Sequence, residues 1–244
     1  MAKTALVTGG ARRLGAAICK ALHAAGFDVI VHYQQSDKEA RRLVTNLNHA
    51  RADSAICLSA NLAQPAAVRL FAAEAQAWRN RLDLLVNNAS CFHATPLANT
   101  SDHDWDALIN TNLRAPFLLC QQLAVALTKQ QGSIINLVDI YAEKPLLNHA
   151  VYSISKAGLA MLTLSLAREL APNVRVNGIA PGLILAPVND PERAQTLLDS
   201  VPLGRSGEAN DIASTAVWLA TAAPYITGQI IQVDGGRSLS FPGG

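Results

Sequence analysis

Apolar residues in this chain fall into two alternating patterns. Short runs with few polar positions, TALVTGG (Thr4 to Gly10) and DVIVHY (Asp28 to Tyr33), have the length and β-branching of buried strands. Between them LGAAICKALHAAGF repeats apolar residues at helical spacing and stops at Gly26, which makes a βαβ unit. SAICLSA, the helical VRLFAAEAQAW and LDLLVNNAS continue the alternation. The strand in the last of these is apolar throughout, as expected where helices cover both faces of a sheet. WDALINTNLRAPFLLCQQLAVALTKQ reads as one long helix with Pro116 as the candidate kink, and GSIINLVDI as a strand. AVYSISKAGLAMLTLSLARELAP reads as a helix that stops at Pro172, followed by the strand VRVNGIAPG, a helix around ANDIASTAVWLATAA and a last strand in QIIQVDGG. The pattern predicts an α/β fold: a single domain over 1–244, with a doubly wound parallel sheet and helices on both of its faces.

Between Leu183 and Gly207 the pattern weakens into prolines, mixed charge and one short helical stretch. Because this segment follows a strand's carboxyl end, where ligands bind in such sheets, residues 183–207 are expected to cover the substrate.

Composition narrows the function class. Half of the residues are apolar and 16% are charged, enough to build a core at this length of 244 residues. The net charge of +2 comes from scattered residues, with no basic stripe, so nucleic acid is not an expected partner. No apolar run reaches a membrane span, and MAKTALVTGG enters a strand without a charged leader, which predicts a cytoplasmic protein with no membrane partner. Cys19, Cys57, Cys91 and Cys120 show no C-x-x-C spacing, and the histidines lack close pairing with Cys or carboxylate, so no metal is expected.

TGGARRLG (Thr8 to Gly15) falls at the first strand-to-helix turn. There Gly9 and Gly15 permit a tight turn and close backbone approach, and the helix N-terminus favours a phosphate. The second strand ends in VHYQQS. With no acid at His32 or Tyr33, and with Arg12, Arg13 and Ser36 nearby, a 2′-phosphate is expected to be accepted, so the sequence predicts NADPH rather than NADH. YSISK puts Tyr152 and Lys156 on one helical face, where an ammonium is expected to lower the pKa of a phenol toward its working range.

The glycine-rich turn, NNAS (Asn87 to Ser90), INTNL with Asn112, YSISK, PG at Pro181 and Gly182, and YITGQIIQVDGG together resemble a short-chain dehydrogenase/reductase, from Lys3 to Leu239. The resemblance implies a Rossmann-like fold and a homotetramer built through two long helices. It also implies a cofactor site of Gly9, Arg12, Arg13, Leu14, Gly15, His32, Tyr33, Gln35, Ser36, Asn61, Leu62, Asn88, Ala89, Ser90, Tyr152, Lys156, Pro181, Gly182 and Leu183. Tyr152, Lys156 and Asn112 take the catalytic positions, with Asn112 placing a water or backbone group in a proton relay. In that family a serine normally stands thirteen residues before the tyrosine; here Asp139 does. A carboxylate donates nothing to a developing oxyanion but can serve a ring nitrogen and its N–H neighbours, which makes Asp139 the fourth catalytic candidate.

The same substitution occurs in the pteridine reductase subfamily, which NNASCFHATPL and KPLLNHAVY also resemble. That likeness implies a pterin or folate substrate contacted by Arg13, Ser90, Phe92, Asp139, His149 and Tyr152, with Phe92 stacking on the ring. Gln35 stands where the parasite enzymes carry an arginine for the 2′-phosphate, Asn61 replaces an aspartate of the A-D-L motif, and His149 replaces an aromatic. A ketone reductase of the 3-oxoacyl carrier-protein type shares nearly every motif except Asp139 and Phe92. A nucleotide-binding regulator without chemistry is a third reading, opposed by the retained tyrosine and lysine.

Overall fold

The computed structural model describes residues 2–184 and 191–240. Seven parallel strands form one sheet in the order β3-β2-β1-β4-β5-β6-β7. They are β1 (Thr4–Val7), β2 (Asp28–Tyr33), β3 (Ala55–Ser59), β4 (Leu84–Asn87), β5 (Ser133–Leu137), β6 (Arg175–Pro181) and β7 (Ile230–Val233). The chain winds outward from β1 to β3 and then returns to pair β4 beside β1, with Ala5 opposite Leu84. The connections on either side of this switch leave in opposite directions, so a crevice opens beyond the carboxyl ends of β1 and β4.

Helices α1 (Arg13–Ala24), α2 (Asp37–Ala50) and α8 (Ala209–Thr221) cover one face through Ile18, Leu22, Leu43, Leu47 and Ile212. Helices α3 (Pro65–Arg79), α5 (Ala115–Lys129) and α6 (Ala150–Glu169) cover the other through Phe71, Leu119, Leu123 and Leu166. The shorter α4 (Asp102–Ile109) leads into α5, and α7 (Pro191–Asp199) lies within the segment expected to cover the substrate. Residues 185–190 of that segment fall outside the described residues.

Three features depart from the sequence pattern. Helix α2 was not expected: its apolar positions Ala40, Leu43 and Leu47 have helical spacing but sit among charged neighbours. The long helix of 102–129 is interrupted at Asn110–Arg114 by a π turn, in which the Ala115 N–H reaches back to the Asn110 carbonyl. The break therefore lies a turn before Pro116, because proline cannot supply the N–H that the Asn112 carbonyl would take from four residues on. Helix α6 does reach the length and apolarity of a membrane span, with a mean hydropathy of 1.4. It buries Tyr152, Lys156 and Thr163 against the sheet, as a core helix does.

Candidate active site

The glycine-rich turn is built for close backbone packing. Gly9 takes φ +60, in the left-handed region, and a Cβ on Gly15 would collide with the Gly9 carbonyl. His32 supports the turn from beneath: its Nδ1 accepts from the Gly9 N–H at 2.9 Å, while Nε2 faces the Ala60 carbonyl at 3.1 Å. These roles fix the tautomer with the proton on Nε2, and burial pushes the imidazole down to about 4, so His32 is a neutral strut at physiological pH. Asn88 donates to the carbonyls of Thr8 at 2.8 Å and Gly9 at 3.1 Å. Thr8, which sequence reasoning passed over, ties the ends of β1 and β4 together by accepting from the Asn88 and Ala89 N–H groups at 2.9 and 3.0 Å.

This end of the crevice fits a dinucleotide phosphate. Arg12 and Arg13 are exposed and have no ion-pair partner among the described residues, and the first turn of α1 carries no acid. Ser36 precedes α2 without capping it, which leaves its hydroxyl uncommitted to that helix. The first acid after β2, Asp37, accepts from Arg41 Nε and from the Tyr33 hydroxyl at 2.7 Å, so its charge is already paired.

At the other end Asp139 and Tyr152 meet. The Tyr152 hydroxyl donates to Asp139 Oδ2 at 2.6 Å, and Asp139 Oδ1 accepts from the Tyr141 N–H at 3.0 Å. Burial pushes the Asp139 carboxyl above the usual carboxylate range. Burial first, and then the Asp139 charge, push the phenol above its ordinary value. The sequence-based expectation that a lysine would lower the phenol's pKa therefore does not describe this arrangement; the pair retains a proton on the phenol, shared across a short hydrogen bond. Lys156 is buried and donates to the Leu137 carbonyl at 2.8 Å, with Nζ 5.8 Å from the Tyr152 ring centroid. Burial pushes it down to about 8, opposed by the Asp139 charge.

Asn112 does not present its side chain to the crevice. Its Oδ1 accepts from the Cys91 N–H at 2.8 Å and from the Ser90 hydroxyl at 3.2 Å. Its Nδ2 donates to the Cys91 carbonyl and to Ser155 Oγ, both at 3.0 Å. The residue thus locks the segment after β4 to α6, with its side-chain amide spent inside the fold.

Phe92 is 56% exposed, stacks on His149 with centroids 4.8 Å apart, and stands edge-on to Tyr152 at 4.7 Å. A large apolar ring is thus left open to the cleft beside the Asp139–Tyr152 pair.

A cleft of about 720 Å³ joins the two ends. It is lined by the expected Gly9, Arg12, Arg13, Leu14, Gly15 and His32, by Leu62, Asn88, Ala89, Ser90 and Phe92, and by Asp139, Tyr152, Gly182 and Leu183. Tyr33, Gln35, Ser36, Asn61, Asn112, His149, Lys156 and Pro181 are not on its wall. Asn61 uses its side-chain oxygen to accept from the Ala63 N–H at 3.0 Å, and Pro181 closes β6, whose last turn needs Gly182 because a Cβ there would meet Asp234. Gln34, Thr111, Tyr141, Leu146 and Arg237 line the cleft without having been expected. Tyr141 could have been inferred from its place beside Asp139; Arg237 belongs to no motif.

Residues 9–238 match the protein family model described as enoyl-(acyl carrier protein) reductase. Pteridine reductase 1 of Leishmania tarentolae is 37% identical, covering 98% of this chain and 97% of that protein. The 3-oxoacyl-[acyl-carrier-protein] reductase FabG of Staphylococcus aureus is also 37% identical, covering 97% and 98%. The crystal structure of a blue fluorescent protein from a metagenomic library in complex with NADPH superposes with a TM-score of 0.90 at 35% identity, over 96% of this chain and 97% of that one. With a family match over nearly its whole length and relatives of this identity, the chain belongs to the short-chain dehydrogenase/reductase family and is an oxidoreductase of that family.

Proposed function

We propose that this chain is an NADPH-dependent pterin reductase, converting a 7,8-dihydropterin to the tetrahydropterin at C6=N5, with dihydrofolate as a slower substrate. The reading is carried by Asp139, a half-buried carboxylate 2.6 Å from the Tyr152 hydroxyl at the position that is serine in carbonyl reductases of the family. An ionised carboxylate repels a developing oxyanion, whereas a ring nitrogen needs a proton and its N–H and NH₂ neighbours need acceptors. Phe92, backed by His149, lines the cleft with Ser90 and Arg13 and would complete a pocket for a flat polar ring.

When bound, NADPH supplies the hydride. Gly9, Leu14, Gly15, Leu62, Asn88 and Ala89 would hold its backbone and adenine end, Arg12, Arg13 and Ser36 its 2′-phosphate, and Lys156 the nicotinamide ribose. Tyr152 and Asp139 share one transferable proton and deliver it to N5 while C6 gains the hydride. Solvent recharges the pair past the Asn112 backbone carbonyl. Thus one hydride and one proton are added for each C=N bond reduced.

The protein is read as a homotetramer and as cytoplasmic. Phe117 and Val125 on α5 and Ile154 and Met161 on α6 are exposed apolar side chains of the kind a partner subunit would cover. The four free cysteines, two of them buried, suit a reducing compartment. Light scattering should return about four chain masses; a monomer mass at micromolar concentration contradicts the assembly.

The second reading is a ketone reductase of the 3-oxoacyl carrier-protein type, favoured by relatives of that name at the same 37% identity. Oxidation of NADPH by the purified protein against dihydrobiopterin, dihydrofolate and acetoacetyl-CoA separates the two. We expect turnover of the pterins; turnover of the thioester alone would replace the first reading with the second.

A further inference from the structure

The contacts beside Asp139 form an ordered wall. At one end Phe92 stands edge-on to Tyr152, Tyr152 donates to Asp139, and Asp139 accepts from the Tyr141 N–H. At the other end the Arg237 guanidinium lies over the Tyr141 ring, its carbon 5.7 Å from the centroid, and lines the same cleft as Phe92 and Asp139. Arg237 opens the turn after β7, at the far side of the crevice from Arg12 and Arg13.

Its base is fixed. Nε donates to Ser200 Oγ at 3.0 Å, just past α7, and Lys144 donates to the neighbouring Ser238 carbonyl. The Asp234 carboxylate anchors the turn by accepting from the N–H groups of Gly236 at 2.9 Å and Ser238 at 2.7 Å. The two terminal nitrogens of Arg237, four N–H donors in one plane, have no hydrogen-bond or ion-pair partner among the described residues. A half-buried guanidinium, held at its base with its fork open to a ligand cleft, is suited to a planar anionic acceptor, which it can grip with two parallel hydrogen bonds.

We propose that Arg237 is a specificity-determining residue that binds a carboxylate or phosphate on the substrate's tail, while the reacting group lies against Tyr152 and Asp139. This rests on the reading of the cleft as a reductase site. For pterins, it lowers KM for a folate through its glutamate tail and leaves kcat alone, so dihydrofolate binds with help from Arg237 and still turns over more slowly than an uncharged pterin. Preorganisation by Ser200 reduces the ordering cost of that contact.

The test compares wild type, Arg237→Gln and Arg237→Lys on two pairs of substrates that share a reacting group and differ in an anionic tail. The pairs are dihydrofolate against dihydrobiopterin, and acetoacetyl-CoA against ethyl acetoacetate. Whichever pair the wild type reduces decides the reaction; the Arg237 effect is read within that pair, so either idea can fail without the other. Arg237→Gln should raise KM for the anionic member about tenfold, as expected for a lost charge-assisted contact, with kcat and the neutral member's KM within about twofold. Arg237→Lys should recover part of the loss. Equal KM changes for both members, or none, overturn the proposal and leave Arg237 as a latch between the C-terminal turn and α7, visible as a lowered Tm. If neither pair is reduced, calorimetric titration of folate and biopterin into the NADP⁺-loaded protein reads the same difference, and an Arg237-independent affinity ratio overturns it.

Discussion

Replacing Asp139 by serine restores the residue usual in carbonyl reductases and removes two contacts at once. The carboxylate accepts from the Tyr152 hydroxyl at 2.6 Å and from the Tyr141 N–H at 3.0 Å; a single hydroxyl on a shorter side chain cannot reproduce both. A hydrogen bond to a charged group is worth about 1.5–3 kcal/mol, and each ~1.4 kcal/mol of transition-state stabilisation is a factor of ten, so pterin turnover should fall roughly 10- to 100-fold. The pH profile should move as well. Burial alone lowers Lys156, and the Asp139 charge opposes that shift, so without the carboxylate Lys156 loses its proton below its present value of about 8 and the alkaline limb moves to lower pH. The assay is steady-state oxidation of NADPH with dihydrobiopterin from weakly acid to alkaline pH. A variant that kept full turnover and an unaltered profile would make Asp139 a bystander and remove the main reason for preferring a pterin over a ketone.

Tyr152→Phe deletes the donor to Asp139 and should cut turnover by about 10² to 10⁴ at saturating substrate; near-normal rates would take the proton from Tyr152 and assign it elsewhere. Wild type should show a lower KM for NADPH than for NADH, and Arg12→Ala should narrow that gap; equal use of both cofactors by wild type would mean that no 2′-phosphate site survives beside Gln35. In cofactor-free protein Lys156 should contribute stability as pH rises from about 8 toward 10.5, since burial lowers it in the fold and the unfolded chain keeps its proton longer; the buried Cys19 and Cys120 thiols, raised in the fold, act in the opposite sense, so the component is read as the difference between wild type and Lys156→Met. Lys156→Met should lack this component, and parallel Tm curves for the two proteins would contradict it.

What was legible in the sequence follows from how much local information each feature carries. β2 matches its expected bounds, Asp28–Tyr33, because a short β-branched run just after a helix that stops at Gly26 has few other placements in a parallel sheet. β1 ends at Val7, three residues before the end of its apolar run, because Gly9 turns the chain at φ +60. The 3.6-residue signal of α2 was diluted by its charged face, and only burial of Ala40, Leu43 and Leu47 shows that it packs. Residue roles were less legible than positions. His32 lies next to the end of the second strand, as a ribose contact would, but both its nitrogens are spent on backbone; Asn112 sits in the family motif with its amide equally spent. Arg237 reaches the cleft only because β6 and β7 pair in register and bring the C-terminal turn over Tyr141, a long-range placement with no local signature.

The most direct test follows the transferred hydrogen. With dihydrobiopterin and NADPH carrying deuterium at the transferable C4 position, mass spectrometry should find tetrahydrobiopterin bearing one deuterium, located at C6. Tyr152→Phe should form far less of this product in the same time, each molecule still carrying its deuterium at C6. Absence of tetrahydrobiopterin from the wild-type reaction, together with deuterium at C3 of 3-hydroxybutyryl-CoA made from acetoacetyl-CoA, would contradict the account and assign the chain to ketone reduction.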